Sequence, residues 1–466
     1  MKMNKLPYYF SALIFLIACK TPPKEKFDLL ITNATVIDIA GGLVLPGKLI
    51  GINGDTIRMV SDMESVNSFE SEQLIDAEEQ YVMPGLWDNH VHFRGGDSLI
   101  QENKDLLPLY LAFGVTTVRD SGGDITPSVL QWRKEIREGK LVGPNIFTSG
   151  PKLDGEESFW AGSIPISKKE EIPAALDSLE KLEVDFVKTY DSPLSPELYY
   201  EIIKQAEQRG LKVTGHVPLS ANHFEALEYG LDGAEHLFSF LSLGSPVGDS
   251  LRELNNRFNM FPEVASTFDE DIMNEAITKM GFKEFYVMPT LYVSQVLLEL
   301  HEKDTSTDNI LPLIGPGIQK TYERRINQAK NRSQEGRQLM VEMDILERSL
   351  IAPMHHSGIT ILAGSDCGPS NSYVYPGTAL HSELALLVEV GLSPREALAA
   401  SVINGPKFFD LDKYYGSVEA GKVAHLIFLD KNPLENIENT RSISRVVKGI
   451  NSYDHTELQD WRSPFK

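Results

Sequence analysis

Cysteine is almost missing from this chain: 466 residues hold two, Cys19 and Cys367. No disulfide framework can therefore carry the fold. Long apolar runs are scarce too. The run near the start, residues 10–17 (FSALIFLI), is too short to cross a bilayer, which takes roughly 20 residues. Basic charge is in deficit, with 44 Lys and Arg against 66 Asp and Glu, a net charge of −22. That balance excludes nucleic acid as a partner, because phosphate binding needs a basic face. What is present is enough apolar matter, 42% of residues, for a sizeable core. The length suits a large α/β domain with a smaller accessory one.

The first residues read as a targeting segment. Lys2 and Lys5 precede the short apolar run, which ends in Leu16-Ile17-Ala18-Cys19. This resembles the lipobox of bacterial lipoproteins, with a plain secretory signal and a chance cysteine as the alternative. The resemblance implies a signal peptide over residues 1–18 and a lipid anchor at Cys19. It implies a location in the bacterial cell envelope, on the periplasmic or outer-membrane face. Residues 19–26 then form a polar, Pro-containing tether.

Residues 27–83 and 413–455 share one character, short β-branched runs between turn signals such as Gly41-Gly42, Asn53-Gly54 and Asn432-Pro433. They predict a small β-sandwich built from both ends of the chain, with residues 456–466 as a tail. Between them, residues 84–412 alternate strands with amphipathic segments. Strands are predicted at 115–119, 145–148, 186–189, 212–215, 285–290 and 360–364, and in the runs before His90 and His236; helices include 196–209 and 394–400. Eight such units predict an α/β fold, a (β/α)8 TIM-like barrel whose site lies at the C-terminal ends of the strands. Residues 304–349 are charged and helical, an insertion or lid.

The most informative residues are His90 and His92. At i and i+2 on a strand they point to one side, so two imidazoles aim at one point and suit zinc or another late divalent metal. Further polar residues fall at later strand ends: Arg119, Asp120, Lys188, His216, His236 and Asp366. A lone histidine is usually a packing residue. Four with a lysine and an aspartate, all at strand ends, are hard to explain that way.

The ordered segments Met83–His92 (MPGLWDNHVH), Val118-Arg119-Asp120-Ser121-Gly122-Gly123, Phe186-Val187-Lys188-Thr189-Tyr190, Gly215-His216-Val217, Ala234-Glu235-His236 and Ala363-Gly364-Ser365-Asp366 resemble the amidohydrolase superfamily. Within it they are most similar to the imidazolonepropionase-related group that includes Xaa-Pro dipeptidases. The resemblance implies two divalent metal ions, zinc in first place. His90, His92 and Asp366 would hold one and His216 and His236 the other. Lys188 would bridge them as N6-carboxylysine; an ordinary ion pair between Lys188 and a carboxylate is the competing reading. It also implies hydrolysis of an amide or peptide bond, with Asp366 as proton shuttle and a small-molecule or short-peptide substrate. Tyr190 is either a hydrogen-bond donor to the oxyanion or a wall aromatic. The alternatives are a cyclic amide, imide or lactone hydrolase, and a non-catalytic ligand-binding lipoprotein. Oligomeric state is not fixed by the sequence, and an oligomer is compatible with it.

Two departures stand out. The region after the third strand, residues 149–160, lacks the histidine of many relatives, and His425 replaces their usual aspartate. Arg119 and Asp120 are expected to brace the mouth. Cys367 is expected to pack, and His381 to be structural.

Overall fold

The computed structural model describes residues 24–463 apart from Asn255. The expected signal peptide, residues 1–18, and Cys19 lie outside the described residues. Among the described residues no helix is long and apolar enough to cross a membrane.

Both ends of the chain combine into one eight-stranded mixed sheet. The join is antiparallel, with His425–Leu429 paired to Tyr81–Pro84 so that Ile427 faces Met83 and Phe428 faces Val82. Alternation along these strands sorts the side chains. Val82, Leu426 and Phe428 enter a small core with Leu29, Ile31, Ile50 and Ile52. Met83, Ile427 and Leu429 join the main core. Seven strands follow one path, and Phe69–Asp76 pairs with the first strand, Glu25–Asp38, off that path. The first strand opens at Glu25, inside the expected tether. The expected tail is instead a helix, His455–Trp461, capped by the Asp454 carboxylate with Glu457 in return. Asp followed three residues later by Glu is a capping-box signature.

The centre is α/β with parallel sheets. Leu86–Val91, Val115–Asp120 and Asn145–Thr148 form one; Val187–Thr189 and Val213–Gly215 belong to a second; Gly233–Glu235, Tyr286–Met288 and Thr360–Ile361 form a third. Each falls where the sequence predicts a strand, though several are shorter. The second sheet also contains Lys152–Asp154 and Ser163–Pro165, which the sequence did not signal. Single backbone hydrogen bonds link the sheets at their edges. Asp185 N donates to Thr148 O (2.9 Å), Asp232 N to Val213 O (3.1 Å) and Asn89 N to Ala363 O (3.0 Å).

Helices pack outside these strands. Pro196–Gln208 starts at the Ser195 N-cap, and Pro394–Val402 at Ser393 in a capping box with Glu396. Residues 304–349 resolve into three helices, Pro316–Thr321, Glu323–Asn331 and Gln334–Ser349.

Candidate active site

The strand Leu86–Val91 is buried throughout and carries His90, with His92 just beyond its end. Their Nε2 atoms lie 3.2 Å apart. Asp366 Oδ1 sits 3.2 Å from His92 Nε2 and 3.6 Å from His90 Nε2. Ligands at ~2.1 Å from a tetrahedral metal stand roughly 3.4 Å from one another, so these three atoms fit one ion and leave a position open. Among the described residues they form the group of three that fits a metal ion.

Asp366 reaches this place through a loop pinned to the histidine strand. Asp366 N donates to His90 O (2.7 Å) and His92 N to Cys367 O (2.9 Å). The Asp88 carboxylate accepts from Ser365 N (2.9 Å) and Ser365 Oγ (2.6 Å). A Cβ on Gly364 would lie 2.7 Å from His90 Cβ, so that position needs glycine. Asp366 itself has φ 54°, His236 φ 65° and Thr290 φ 53°. Left-handed backbone is costly at such residues and gathers at functional sites.

His216 and His236 stand beside this group. Their rings are 4.8 Å apart by centroid, and His236 is 5.3 Å from His90. All four imidazoles are tied by Nδ1. His90 Nδ1 is 2.6 Å from Glu235 Oε2 and His92 Nδ1 is 2.9 Å from Gly122 O. His216 Nδ1 is 2.7 Å from Asp191 Oδ1, and His236 Nδ1 is 2.6 Å from Thr290 Oγ1. Such partners fix ring orientation and leave Nε2 for a metal. Burial, with Arg94 nearby, lowers His92 to about 3, so its imidazole is neutral, the form that binds metal. Burial opposes charge on Asp366, yet the His92 hydrogen bond and the neighbouring imidazoles hold its carboxyl well below the usual range.

Lys188 is fully buried and its Nζ meets Glu235 Oε2. Glu235 also receives Arg119 Nη2 on Oε1 (2.7 Å), so one carboxylate balances two cations and orients His90. Burial lowers the Lys188 pKa, opposed by Glu235. In this state Lys188 is ion-paired. Arg119 braces the strands as expected, with Nε on Asn89 O (2.6 Å). Tyr190 stacks on His216 at 4.0 Å, and its hydroxyl accepts from Trp160 Nε1 (2.5 Å). Cys367 packs under Tyr110 (Oη to Sγ 3.2 Å). His381 is tied to Thr440 Oγ1 (2.8 Å) and Phe113 O (3.0 Å), a structural role.

Sequence alone does not single out Glu235, Asp191, Thr290 or Arg94 as site residues. Each had a local signal, since three neighbour a named site residue and Thr290 follows a strand. Arg325 had none. It reaches the site from the helix Glu323–Asn331 and lines the same cavity as His92, Tyr190, His216, His236 and Asp366. The cavity holds about 490 Å³, within the usual range for small ligands.

Imidazoles and a carboxylate converging where parallel strands end, at the foot of a pocket, form a constellation suited to metal-assisted chemistry. Residues 81–451 match the Amidohydrolase family, and the chain belongs to that family and is a hydrolase. A curated relative, ochratoxinase of Aspergillus niger, is 23% identical over 447 residues, covering 82% of this chain and 78% of the relative. Among solved structures, bottromycin amidohydrolase superposes with a TM-score of 0.72 at 20% identity, covering 93% of this chain and 88% of the other. A Xaa-Pro dipeptidase with bound methionine gives 0.64 at 20% identity, covering 91% and 99%. These two likenesses are of fold.

Proposed function

We propose that the protein is a binuclear metal-dependent hydrolase of amide bonds, acting first on dipeptide-like substrates. The observation that carries this is the convergence of His90 Nε2, His92 Nε2 and Asp366 Oδ1 within 3.6 Å beside a cavity that His92 and Asp366 line. The edge hydrogen bonds between the sheets support a (β/α)8 barrel under this site, and the sheet joined from both chain ends supports an accessory β-sandwich. The names of the relatives, a dipeptidase and an amidohydrolase among them, support the amide bond as the target.

His90, His92 and Asp366 would hold one ion, and His216 and His236 the second, with zinc suited to imidazole and carboxylate. Bound there, such ions supply an acidified water and a polarised carbonyl. Asp366 takes the proton of the attacking water and passes it to the leaving nitrogen. Tyr190 turns its phenol into the cavity wall to meet the developing oxyanion. Asp191 and Thr290 keep His216 and His236 in register. Lys188 would serve as a ligand to such ions if its amine were carboxylated, which would require it to part from Glu235. Its full burial favours the uncharged amine that carboxylation needs. The Cys19 lipobox makes this a lipid-anchored enzyme of the bacterial envelope.

Purified protein stripped with a chelator and reloaded with zinc tests the reading. Dipeptide hydrolysis should vanish on stripping and return on reloading, and Lys188→Ala should stay below 1% (about a hundredfold loss or more). Full turnover after stripping, or in Lys188→Ala, would overturn the binuclear reading.

A further inference from the structure

Thr290 precedes the helix Leu291–Glu299, at the position where a threonine hydroxyl ordinarily accepts from a free N–H of the first turn. Here its backbone is left-handed, φ 53°, and its side chain makes no cap bond. The hydroxyl turns instead to His236, with Oγ1 2.6 Å from Nδ1. Oγ1 also lies 2.7 Å from Pro289 O. A carbonyl can only accept, and two oxygens at that distance with no proton between them would repel, so the single hydroxyl proton goes to Pro289 O. Oγ1 then accepts from His236, and Nδ1 carries the imidazole proton. Nε2 keeps its lone pair, the form that a metal binds.

The cap that Thr290 gives up comes from another helix. Glu383, on Thr378–Glu389, accepts from Leu291 N on Oε1 (3.0 Å) and from Tyr292 N on Oε2 (2.7 Å). The residue is fully buried, and among the described residues no cation pairs with its carboxylate. Burial raises its pKa to about 8, while the two N–H donors pull the other way. A buried carboxyl without a counter-charge is costly. A hydroxyl or carboxylate at position 290 would cap the same turn without that cost, but it would then be committed to the helix. What the arrangement gains is an uncommitted hydroxyl beside His236.

We propose that Glu383 is a positioning residue for the metal centre: it caps the helix Leu291–Glu299 in place of Thr290, and so frees the Thr290 hydroxyl to hold the His236 ring with its proton on Nδ1 and Nε2 open to a metal ion. Without the carboxylate, Leu291 N and Tyr292 N lose their partner. The nearest side-chain acceptor along the chain is the Thr290 hydroxyl, which can serve the helix only by leaving His236. Three elements distant in sequence thus act on one imidazole. What concerns the ion rests on the binuclear reading; what concerns the imidazole proton does not.

The test uses the full chain with nitrogen-15 in its histidines, first stripped of metal and then titrated with zinc. Proton–nitrogen correlation spectra, with the His236 ring assigned by its loss in His236→Asn, should place the proton on Nδ1 in the unmodified protein. In Glu383→Gln, whose amide can accept from one N–H and opposes the other, the form with the proton on Nε2 should appear. Chelator competition should show the zinc ion beside His216 and His236, recognised by its absence in His216→Ala, held about tenfold more weakly. The ion at His90, His92 and Asp366 should be unchanged. Glu383→Asp keeps the charge but ends one methylene short; it should fall between, and it gives the same readings if the glutamine variant does not fold. Adding Glu383→Gln to Thr290→Val should weaken zinc no further, because both act through one hydroxyl. Equal weakening of both ions, as a role in stability alone would give, would overturn the inference. So would an unchanged His236 proton in Glu383→Gln, or a proton on Nε2 in the unmodified protein. Uptake of a single zinc ion would overturn the binuclear reading, and the position of the His236 proton would still decide the role of Glu383.

Discussion

At the floor of the cavity each imidazole is held by a second atom, whereas Arg325 of the lid above it makes no side-chain hydrogen bond among the described residues. The floor is dense in paired charge. Glu235 alone serves His90, Lys188 and Arg119. The lid helices turn Leu339, Met340 and Met343 to the cavity beside Arg325, and they are tied to the rest of the fold by packing and by hydrogen bonds such as those of Gly317 N and Ile318 N to Glu102. The difference separates two tasks. A floor whose imidazoles and carboxylates are held by defined partners keeps its geometry to a fraction of an ångström, as metal chemistry requires. A wall of Leu and Met adapts to shape and selects by fit.

The contrast can be broken from the floor first. Asp366→Ala should lower kcat by about a thousandfold or more, with a loss of bound metal measurable by elemental analysis. Glu235→Gln should cost about 3 kcal/mol or more of stability, because it leaves Lys188 and Arg119 buried without their counter-charge; urea denaturation reads this. Thr290→Val frees the His236 ring and should weaken metal affinity by about tenfold to a hundredfold, read by chelator competition. From the lid, Leu339→Ala should raise KM by about tenfold for a bulky substrate while metal content is unchanged. A change in metal content there would erase the distinction between the two regions.

The smallest effect lies outside both regions and serves as a control. Glu396 closes the capping box of Pro394–Val402, and its hydrogen bonds with Ser393 lower its pKa to about 2 from 4.5. A depressed carboxyl adds stability above its unfolded pKa and loses it as pH falls through the folded one. Glu396→Gln should therefore cost about 1 kcal/mol near pH 7. The gap to the unmodified protein should close between about pH 4.5 and 2, with no change in catalysis.

The ligands of the floor were legible in the sequence; of the lid, the helical character of residues 304–349 was legible, but not which side chains it turns inward. His90 and His92 announce a shared direction by their spacing on a strand, and His216, His236 and Asp366 follow short apolar runs that read as strands. Those are local signals. The partners of these residues were harder to see, because Asp191, Thr290 and Glu235 act through contacts between different strands. The Lys188–Glu235 pair shows the limit. The sequence put both residues at strand ends but gave no sign that they meet. Arg325 lies on an exposed-looking helix rich in charge, and only the fold of the insertion turns it inward. At the other end of the chain, the Asp454–Glu457 capping signature was present, yet residues 456–466 were read as a tail.

The most direct test of the central claim is an anomalous difference map, recorded at the zinc edge from crystals of the metal-loaded protein. The account predicts one peak bounded by His90 Nε2, His92 Nε2 and Asp366 Oδ1, and a second beside His216 and His236. A featureless map at the floor of the cavity, or ordered metal only elsewhere, would contradict it.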